Sequence, residues 1–218
     1  MNIALISLHN SAYQPLADLT WDQNKVPYAE LHGYSHSCKT EADGFYGVQI
    51  GYEKIYFIRD LMRDHPEIDW FWWTGCDAMI TNFTIKAEDI IDNRYHFIIS
   101  SDTNGINSDS FFIRNSLIGR EYIDFIISKW PQYQHHHWYE QQCIIDYVYK
   151  FMSIMKIVPQ KLINSYDYKL YPAHQTYWLD KLETDGQWTP GDFVIQWPGT
   201  GLDHRIKLAK HYSNLIVK

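Results

Sequence analysis

An α/β fold, with a central and mainly parallel sheet flanked by helices, is what three observations on the sequence predict. Short apolar runs of strand character alternate with segments whose apolar residues recur at helical spacing. Polar residues collect at the ends of the strand-like runs, where open α/β sheets place their ligand crevices. No stretch has linker composition and nothing repeats, so residues 1–218 read as a single domain.

Composition narrows the class. The chain is 45% hydrophobic and 21% charged, which suits a globular protein with a substantial core. Aromatic residues reach 17%, with 17 Tyr and 9 Trp, many beside His, Asn and Gln, as carbohydrate and nucleotide sites use. A net charge of -7 argues against nucleic acid as a partner but not against a single nucleotide, whose charge a metal ion helps neutralise. Cys38, Cys76 and Cys143 have no metal-site spacing and cannot all pair, which points to a reducing compartment. No apolar segment is long enough to span a membrane, and no charged n-region precedes residue 3, so the reading is cytoplasmic.

In chain order, residues 2–8 read as a buried parallel-type strand, with His9-Asn10-Ser11 as the loop after it. That first strand end is where a nucleotide-binding α/β domain holds a base or ribose. Residues 16–25 are polar and helical. Residues 26–31 read as a second short strand ending at His32-Gly33-Tyr34, and residues 35–47 as a mobile loop. Ile55, Ile58 and Met62, with Leu61 beside them, mark a helix that carries Lys54 and Arg59 and stops at His65-Pro66.

The run Trp70-Phe71-Trp72-Trp73 has high strand propensity and no alternation, as a strand buried on both faces requires. Thr74-Gly75-Cys76 breaks it and presents Asp77 at the carboxyl end of a central strand; the bland alternative makes Asp77 a turn cap. A helical turn at 85–91, a strand at 95–100, a turn-rich polar loop at 101–107 and a strand at 110–114 follow. Asn115-Ser116 is an N-cap for a helix with Ile123, Ile126, Ile127 and Trp130 inward, ended by Pro131. The triplet His135-His136-His137 is set aside as a metal site, because adjacent side chains do not converge on one ion as i, i+3 or i, i+4 pairs do. Glu140-Gln141-Gln142 opens a helix with Ile144, Ile145 and Val148 inward. Residues 192–196 form the last strand, Trp197-Pro198-Gly199 a turn, and Asp203-His204-Arg205 a polar cluster before a closing helix.

Six pieces in this order resemble the galactosyl/mannosyl/xylosyltransferase family typified by fungal Golgi α-1,6-mannosyltransferases and plant xyloglucan xylosyltransferases. They are Asn24-Lys25 with Tyr28 and His32-Gly33-Tyr34; GYEKIYFIRDLM; DWFWWTGCDAMITNF; NGINSDSFFIRNS; YEQQ; and GDFVIQWPG. The resemblance implies a GT-A fold in which an Asp-x-Asp motif holds Mn²⁺ or Mg²⁺ against the diphosphate of a nucleotide sugar. It implies transfer of a sugar, from a UDP-sugar rather than a GDP-sugar, to a hydroxyl of a glycan acceptor. Asp77 matches the second Asp of the motif and becomes the expected metal ligand. The nucleotide site is expected to draw on Ser7, Leu8, His9, Tyr34, Lys54, Asp77 and Ala78. Asn104, Gly105 and Asn107 would border the donor sugar and acceptor, and Glu140, Gln141 and Gln142 would lie beneath the sugar ring, with Gln142 acting on it.

The chain departs from the family pattern. Gly75 stands where the motif has its first Asp, and Gln196 where the family has a metal-binding His; His204 is then either the replacement ligand or a surface residue near a helix start. Asp109 stands where the family has Gly. Family members retain anomeric configuration; an inverting reaction would need a carboxylate base, for which Asp109 and Glu140 are the candidates, each equally readable as a satisfied hydrogen-bonding partner of the loop. The membrane anchor of eukaryotic members is missing, as in a bacterial or viral enzyme, and the chain is short enough to be one domain of a longer polypeptide. Two other function classes stay open: a nucleotide-sugar-binding module that has lost catalysis, and a glycoside hydrolase using Asp77 and Glu140 as a carboxylate pair.

Overall fold

The structure, a computed structural model, describes residues 1–102, 104–170 and 186–218. A six-stranded sheet runs through the molecule, built from β1 (Ile3–His9), β2 (Ser35–Thr40), β3 (Trp70–Thr74), β5 (Phe97–Asp102), β6 (Gly105–Arg114) and β7 (Met155–Val158). Its spatial order is β2-β1-β3-β6-β5-β7. Only β6 opposes its neighbours: it pairs antiparallel with β3 and with β5, while β1–β2, β1–β3 and β5–β7 are parallel. A smaller sheet, β4-β9-β8, joins β4 (Ala78–Ile80), β9 (Val194–Gln196) and β8 (Ser165–Tyr166) beside the carboxyl end of β3.

Period-two alternation sends side chains of each strand into two separate cores. Ala4, Ile6, Phe71, Trp73, Phe97, Ile99, Phe111 and Ile113 face one cluster, packed under α3 (Ile50–Asp64), α4 (Leu117–Ser128) and α6 (Tyr139–Phe151). Ile3, Leu5, Trp70, Trp72, Ile98 and Phe112 face the other, packed under α2 (Val26–His32) and β4. With both faces covered, no polar residue is needed along β3, which is why its sequence shows no alternation. A third cluster, holding Leu16, Met79, Ile195, Trp197, Leu208 and Tyr212, seats α1 (Gln14–Ala17) and α8 (Leu202–Tyr212) against the small sheet. Between α4 and α6 lies the short α5 (Trp130–Tyr133), which carries Pro131 in its first turn, and α7 (Gln160–Ile163) follows β7.

Three expectations are corrected. Residues 26–31 form helix α2, not a strand; Pro27 in its first turn and left-handed Gly33 at its carboxyl cap are the start and stop signals of a helix. The expected mobile loop at 35–47 begins as β2, the polar, half-exposed edge strand paired with β1. The polar segment 101–107 belongs mostly to a β5–β6 hairpin in which Asp102 pairs with Gly105. The remaining strand and helix assignments hold to within a few residues, including the N-cap of α4, where Ser116 Oγ accepts from Gly119 N at 3.1 Å.

Trp72 anchors the second core. It stacks on Phe112 at 5.2 Å and Phe193 at 5.1 Å and meets the edge of Tyr28 at 5.8 Å between ring centroids. Trp72→Ala should cost about 3–5 kcal/mol in urea unfolding, the scale for emptying a buried aromatic site. Trp138→Ala, at a partly exposed position, should shift stability by less than about 0.5 kcal/mol in the same measurement.

Candidate functional site

The site begins with a buried lysine. Residues Asp18–Lys25 form a π-helical segment, a geometry that concentrates at functional positions. It aims Asn24 and Lys25 at the chain leaving β3. Asn24 exchanges two 2.8 Å hydrogen bonds with the backbone of Ile80. Lys25 Nζ donates to the carbonyls of Gly75 at 2.9 Å and Ala78 at 2.6 Å. Three further bonds secure the same region: Thr20 Oγ1 to Cys76 O at 2.7 Å, Tyr28 OH to Ile85 O at 2.8 Å, and His32 Nε2 with Phe83 O at 2.7 Å. Burial draws the Lys25 ammonium down to about 8. The piece Asn24-Lys25…Tyr28…His32 therefore clamps the chain from Gly75 to Ile85, with Lys25 holding the Gly75–Ala78 turn itself.

That turn presents Asp77 where three strands converge. Gly75 N donates to Asp109 O on β6 at 2.9 Å, Ala78 pairs with Gln196 on β9, and Trp197 N donates to Asp77 O at 3.1 Å. The Asp77 carboxylate pairs with Arg205 Nη2 at 2.8 Å. Arg205 is held in turn by Trp197 O at 3.1 Å and by the Tyr13 hydroxyl at 3.0 Å. Burial pushes the Asp77 carboxyl above the ordinary carboxylate range; Arg205 opposes the shift and Asp109 adds to it. Gln196 Nε2 lies between the two acids, 2.5 Å from Asp109 Oδ2 and 3.4 Å from Asp77 Oδ1.

A second ionic cluster lies beneath. Lys54 Nζ on α3 pairs with Glu140 Oε1 at 2.5 Å, donates to Ser108 O at 2.7 Å and stands 3.9 Å from Asp109 Oδ1. Ser108 Oγ donates to Glu140 Oε1 at 2.7 Å. Glu140 reaches this depth because Gly51 leaves room: a Cβ there would fall 1.7 Å from Glu140 Oε2. Tyr139, just before it, has left-handed backbone with φ 45°, a conformation that non-glycine residues rarely hold and that recurs at functional sites.

Two depressions open above these clusters. One, of about 270 Å³, is lined by Leu8, His9, Asn10, Tyr13, Lys54, Trp73, Asp77 and Arg205 among others, at the carboxyl ends of β1 and β3. The other, of about 370 Å³, is lined by Asp102, Asn104, Asn107, Trp138, Gln141, Tyr166 and Tyr168 among others. Asp109 lines both, with 41% of its side chain exposed. In the larger one Asn107 Nδ2 donates to Asp102 Oδ2 at 2.9 Å, and Tyr166 OH donates to the same oxygen at 2.7 Å.

The residues expected at a nucleotide site thus divide. Leu8, His9, Lys54 and Asp77 come together. Ser7 is buried within β1, and Ala78 is buried in β4, where its carbonyl serves Lys25. Tyr34 precedes β2 at the opposite, amino-terminal edge of the sheet, where its hydroxyl bonds Glu88; the β1–β2 register pairs Ser35 with Ala4, far from the crevice. Of the sugar-site residues, Asn104, Asn107, Asp109 and Gln141 line the larger depression, and Glu140 forms part of its buried support. Gln142 is corrected: it extends along α6 to donate to Asp146 Oδ1 at 2.7 Å, an i, i+4 pair, while Gln141 accepts from Ser108 N at 3.1 Å. His204 is exposed on the first turn of α8, and its neighbour Arg205 takes the carboxylate of Asp77 instead. Arg205 escaped the sequence reading as a site residue; the polar cluster at the start of a helix after the last strand was the available signal. Among the described residues no three His, Cys, Asp or Glu side chains are grouped to hold a metal ion. The three cysteines are free, with burial pushing Cys38 and Cys143 to about 12 and Cys76 to about 11.

The clamp makes a testable claim about pH. The unfolded chain keeps the Lys25 proton to about 10.5 and the folded chain releases it near 8, so the unfolded state binds more protons in that window and this site's contribution to stability rises with pH. Urea unfolding of wild type and Lys25→Met at pH 7.5 and 9.5 should show the wild type gaining on the variant at the higher pH. A gap that stays level would mean the ammonium is not desolvated.

Comparison with known proteins gives three findings. The galactosyl transferase GMA12/MNN10 family matches residues 5–95 and 92–203. An α-1,2-galactosyltransferase of Schizosaccharomyces pombe is 29% identical over 207 residues, which cover 74% of this chain and 54% of that protein. The chain spans about half the length of such curated relatives. Among solved structures, a glycosyltransferase involved in the glycosylation of the major capsid of PBCV-1 superposes with TM-score 0.73 at 16% identity, over 96% of this chain and 100% of that one. The galactosyltransferase LgtC, solved with donor and acceptor sugar analogs, superposes with TM-score 0.57 at 14% identity, over 95% of each chain. At these identities the structural likeness speaks for the fold alone. No helix among the described residues is long and apolar enough to cross a membrane.

Proposed function

The chain belongs to the galactosyl transferase GMA12/MNN10 family and has the GT-A fold, and from that premise we propose that it transfers a sugar from a nucleotide-diphosphate sugar, UDP-linked, to a hydroxyl of a glycan acceptor. One observation carries the reading: two depressions of about 270 and 370 Å³ meet at Asp109, one at the strand ends and the other lined by aromatic and amide side chains. The first suits a nucleotide, at the position where open α/β sheets bind ligands. The second suits sugar rings, whose apolar faces pack on Trp138, Tyr166 and Tyr168 while Asn107 and Gln141 meet hydroxyls. The cytoplasmic setting and the retention of configuration stay part of this proposal.

The groups around Asp77 fit a Mg²⁺ or Mn²⁺ ion. Such ions take one or two carboxylates plus substrate phosphates rather than a closed protein cage. Asp77 supplies a carboxylate, and Asp109 stands near it, linked through the Gln196 amide, whose Nε2 lies 3.4 Å from Asp77 Oδ1 and 2.5 Å from Asp109 Oδ2. When bound, the cation neutralises charge on the departing nucleoside diphosphate. Arg205 adds a fixed positive charge on the same side and orients Asp77. Lys54 positions Asp109 and is itself fixed by Glu140 and Ser108. Glu140, buried and ion-paired, acts here as support, which leaves the carboxylate-pair hydrolase without its second acid. Gln141 takes the role expected of Gln142: its amide can direct its dipole at positive charge developing on the sugar.

Asp77→Asn keeps the size of the side chain and removes its charge, so UDP affinity in Mn²⁺ should fall about tenfold or more by calorimetry, or about 1.4 kcal/mol. Unchanged affinity and metal dependence would remove Asp77 from the ligands. Gln141→Ala should lower nucleotide release from a UDP-sugar with acceptor by about a hundredfold while UDP binding stays within about twofold. Gln142→Ala should leave both nearly unchanged. A wild-type protein that binds UDP tightly and releases no nucleotide from any UDP- or GDP-sugar, with or without acceptor glycans, would instead be a binding module.

A further inference from the structure

We propose that Tyr166 is a positioning residue for sugar transfer: from the small sheet its hydroxyl locks Asn107, and through Asn107 it fixes the bulged strand segment that carries Asp109 into the passage between the two depressions. This role rests on the nucleotide-sugar reading above and falls on a residue outside all six of the resembling pieces.

Strand β6 leaves its ladder with β5 at the site. Ser100 pairs with Asn107 whereas its neighbour Ile99 pairs with Phe111, so Ser108, Asp109 and Ser110 bulge out of the register. Bulges next to active sites re-aim side chains. The backbone groups that the ladder gives up need other partners. Gln141 Oε1 accepts from Ser108 N at 3.1 Å, and Asn107 Oδ1 accepts from Asp109 N at 2.8 Å, the i to i+2 closure that an Asn side chain provides. Toward β3, Asp109 O accepts from Gly75 N at 2.9 Å. The Asn107 side chain thus sets where the Asp109 backbone lies.

Asn107 is in turn oriented by a closed triangle. Its Nδ2 donates to Asp102 Oδ2 at 2.9 Å and to Tyr166 OH at 2.7 Å, and Tyr166 OH donates to the same Asp102 oxygen at 2.7 Å. An ionised carboxylate only accepts, so the amide must turn its nitrogen to Asp102 and its oxygen to Asp109 N. The other Asp102 oxygen accepts from Asn104 N at 2.7 Å. Tyr166 is 2% exposed and Asn107 4%, so losing one member of the triangle strands buried polar atoms of the other two.

The small sheet acts on Asp109 at two points. Tyr166 of β8 stands in register with Gln196 of β9, whose Nε2 donates to Asp109 Oδ2 at 2.5 Å. One strand pair therefore holds the Asp109 backbone, through Asn107, and the Asp109 carboxylate, while Lys54 Nζ stands 3.9 Å from the other carboxylate oxygen. Held in this way and still 41% exposed, the carboxylate is preorganised to meet the sugar being transferred. Tyr166 lines the larger depression and not the smaller one, so its effect falls on transfer rather than on nucleotide affinity.

Tyr166→Phe keeps the ring and removes the hydroxyl. It should lower kcat for nucleotide release from a UDP-sugar with acceptor by about tenfold or more, the scale for a displaced positioning contact, while calorimetric UDP affinity stays within about twofold. A hydroxyl that served the fold alone would lower the thermal midpoint and leave kcat near wild type, and that result would overturn the assignment. The route through Asp109 is read from a double-variant cycle: on an Asp109→Asn background, Tyr166→Phe should lower kcat by less than about twofold further. Losses that multiply in full would overturn it, because the two residues would then act independently. Should Asp109→Asn leave no measurable turnover, the split between kcat and UDP affinity in Tyr166→Phe decides. Should Tyr166→Phe fail to fold, Asp102→Asn, which removes the charged acceptor of the same triangle, is held to the same split. Wild type that releases no nucleotide from any UDP- or GDP-sugar would overturn the nucleotide-sugar reading and this inference with it, whereas wild-type turnover in Tyr166→Phe would overturn this inference alone.

Discussion

The buried ammonium of Lys25 is the constraint on which the site depends. A lysine carried fully out of water loses hydration that only strong partners replace, and here the partners are the two carbonyls that open and close the Gly75–Ala78 turn. The turn cannot relax without stranding that charge. Asp77 hangs from it, Gly75 N ties it to β6, and Ala78 ties it to β9. One charge thus sets the relative positions of three strand ends belonging to two sheets. The cost is visible in the lowered proton affinity of the amine; the return is a carboxylate, Asp77, held in the wall of the cavity at the ends of β1 and β3.

Much of this was legible in the sequence because strand burial and helix capping leave local marks. The block Trp70-Phe71-Trp72-Trp73 could be read as a doubly covered strand, and Ser116 as a cap, from neighbouring residues alone. Asp77 could be placed at a strand end for the same reason. The misreadings were of two kinds. Val26-Pro27-Tyr28 has the β-branched and aromatic character of a strand, but Pro27 and Gly33 punctuate a helix, and the punctuation should have outweighed the propensity. Residues 35–40 are polar because an edge strand faces water, and polarity alone cannot separate that from a loop.

The site residues divided along another line. Those whose placement depends on position along one element, such as Leu8, His9 and Lys54, do line the cavity at the strand ends. Those whose placement depends on which way a side chain leaves the element could not be located from the sequence. Gln141 and Gln142 are adjacent on α6 and point about 100° apart, so the choice between them needs the helix phase set by left-handed Tyr139. Tyr34 was misplaced because a helix, not a strand, carries the chain back to the far edge of the sheet before β2 begins. Arg205 and Asp77 are separated by more than a hundred residues, and nothing local announces their pairing.

Gly51 carries a consequence for descent. The helix that holds it approaches α6 so closely that the Glu140 carboxylate fills the space a β-carbon would take. Any lineage that gains a side chain at 51 must move Glu140 first, and moving Glu140 releases Lys54, which stands beside Asp109. Substitutions at 51, 54, 109 and 140 are therefore not independent events. Each is tolerated only on backgrounds already altered at another, so these four sites should be inherited as a block, and chimaeras that exchange one of the strand or helix segments between distant members should fail at this junction before they fail in the core.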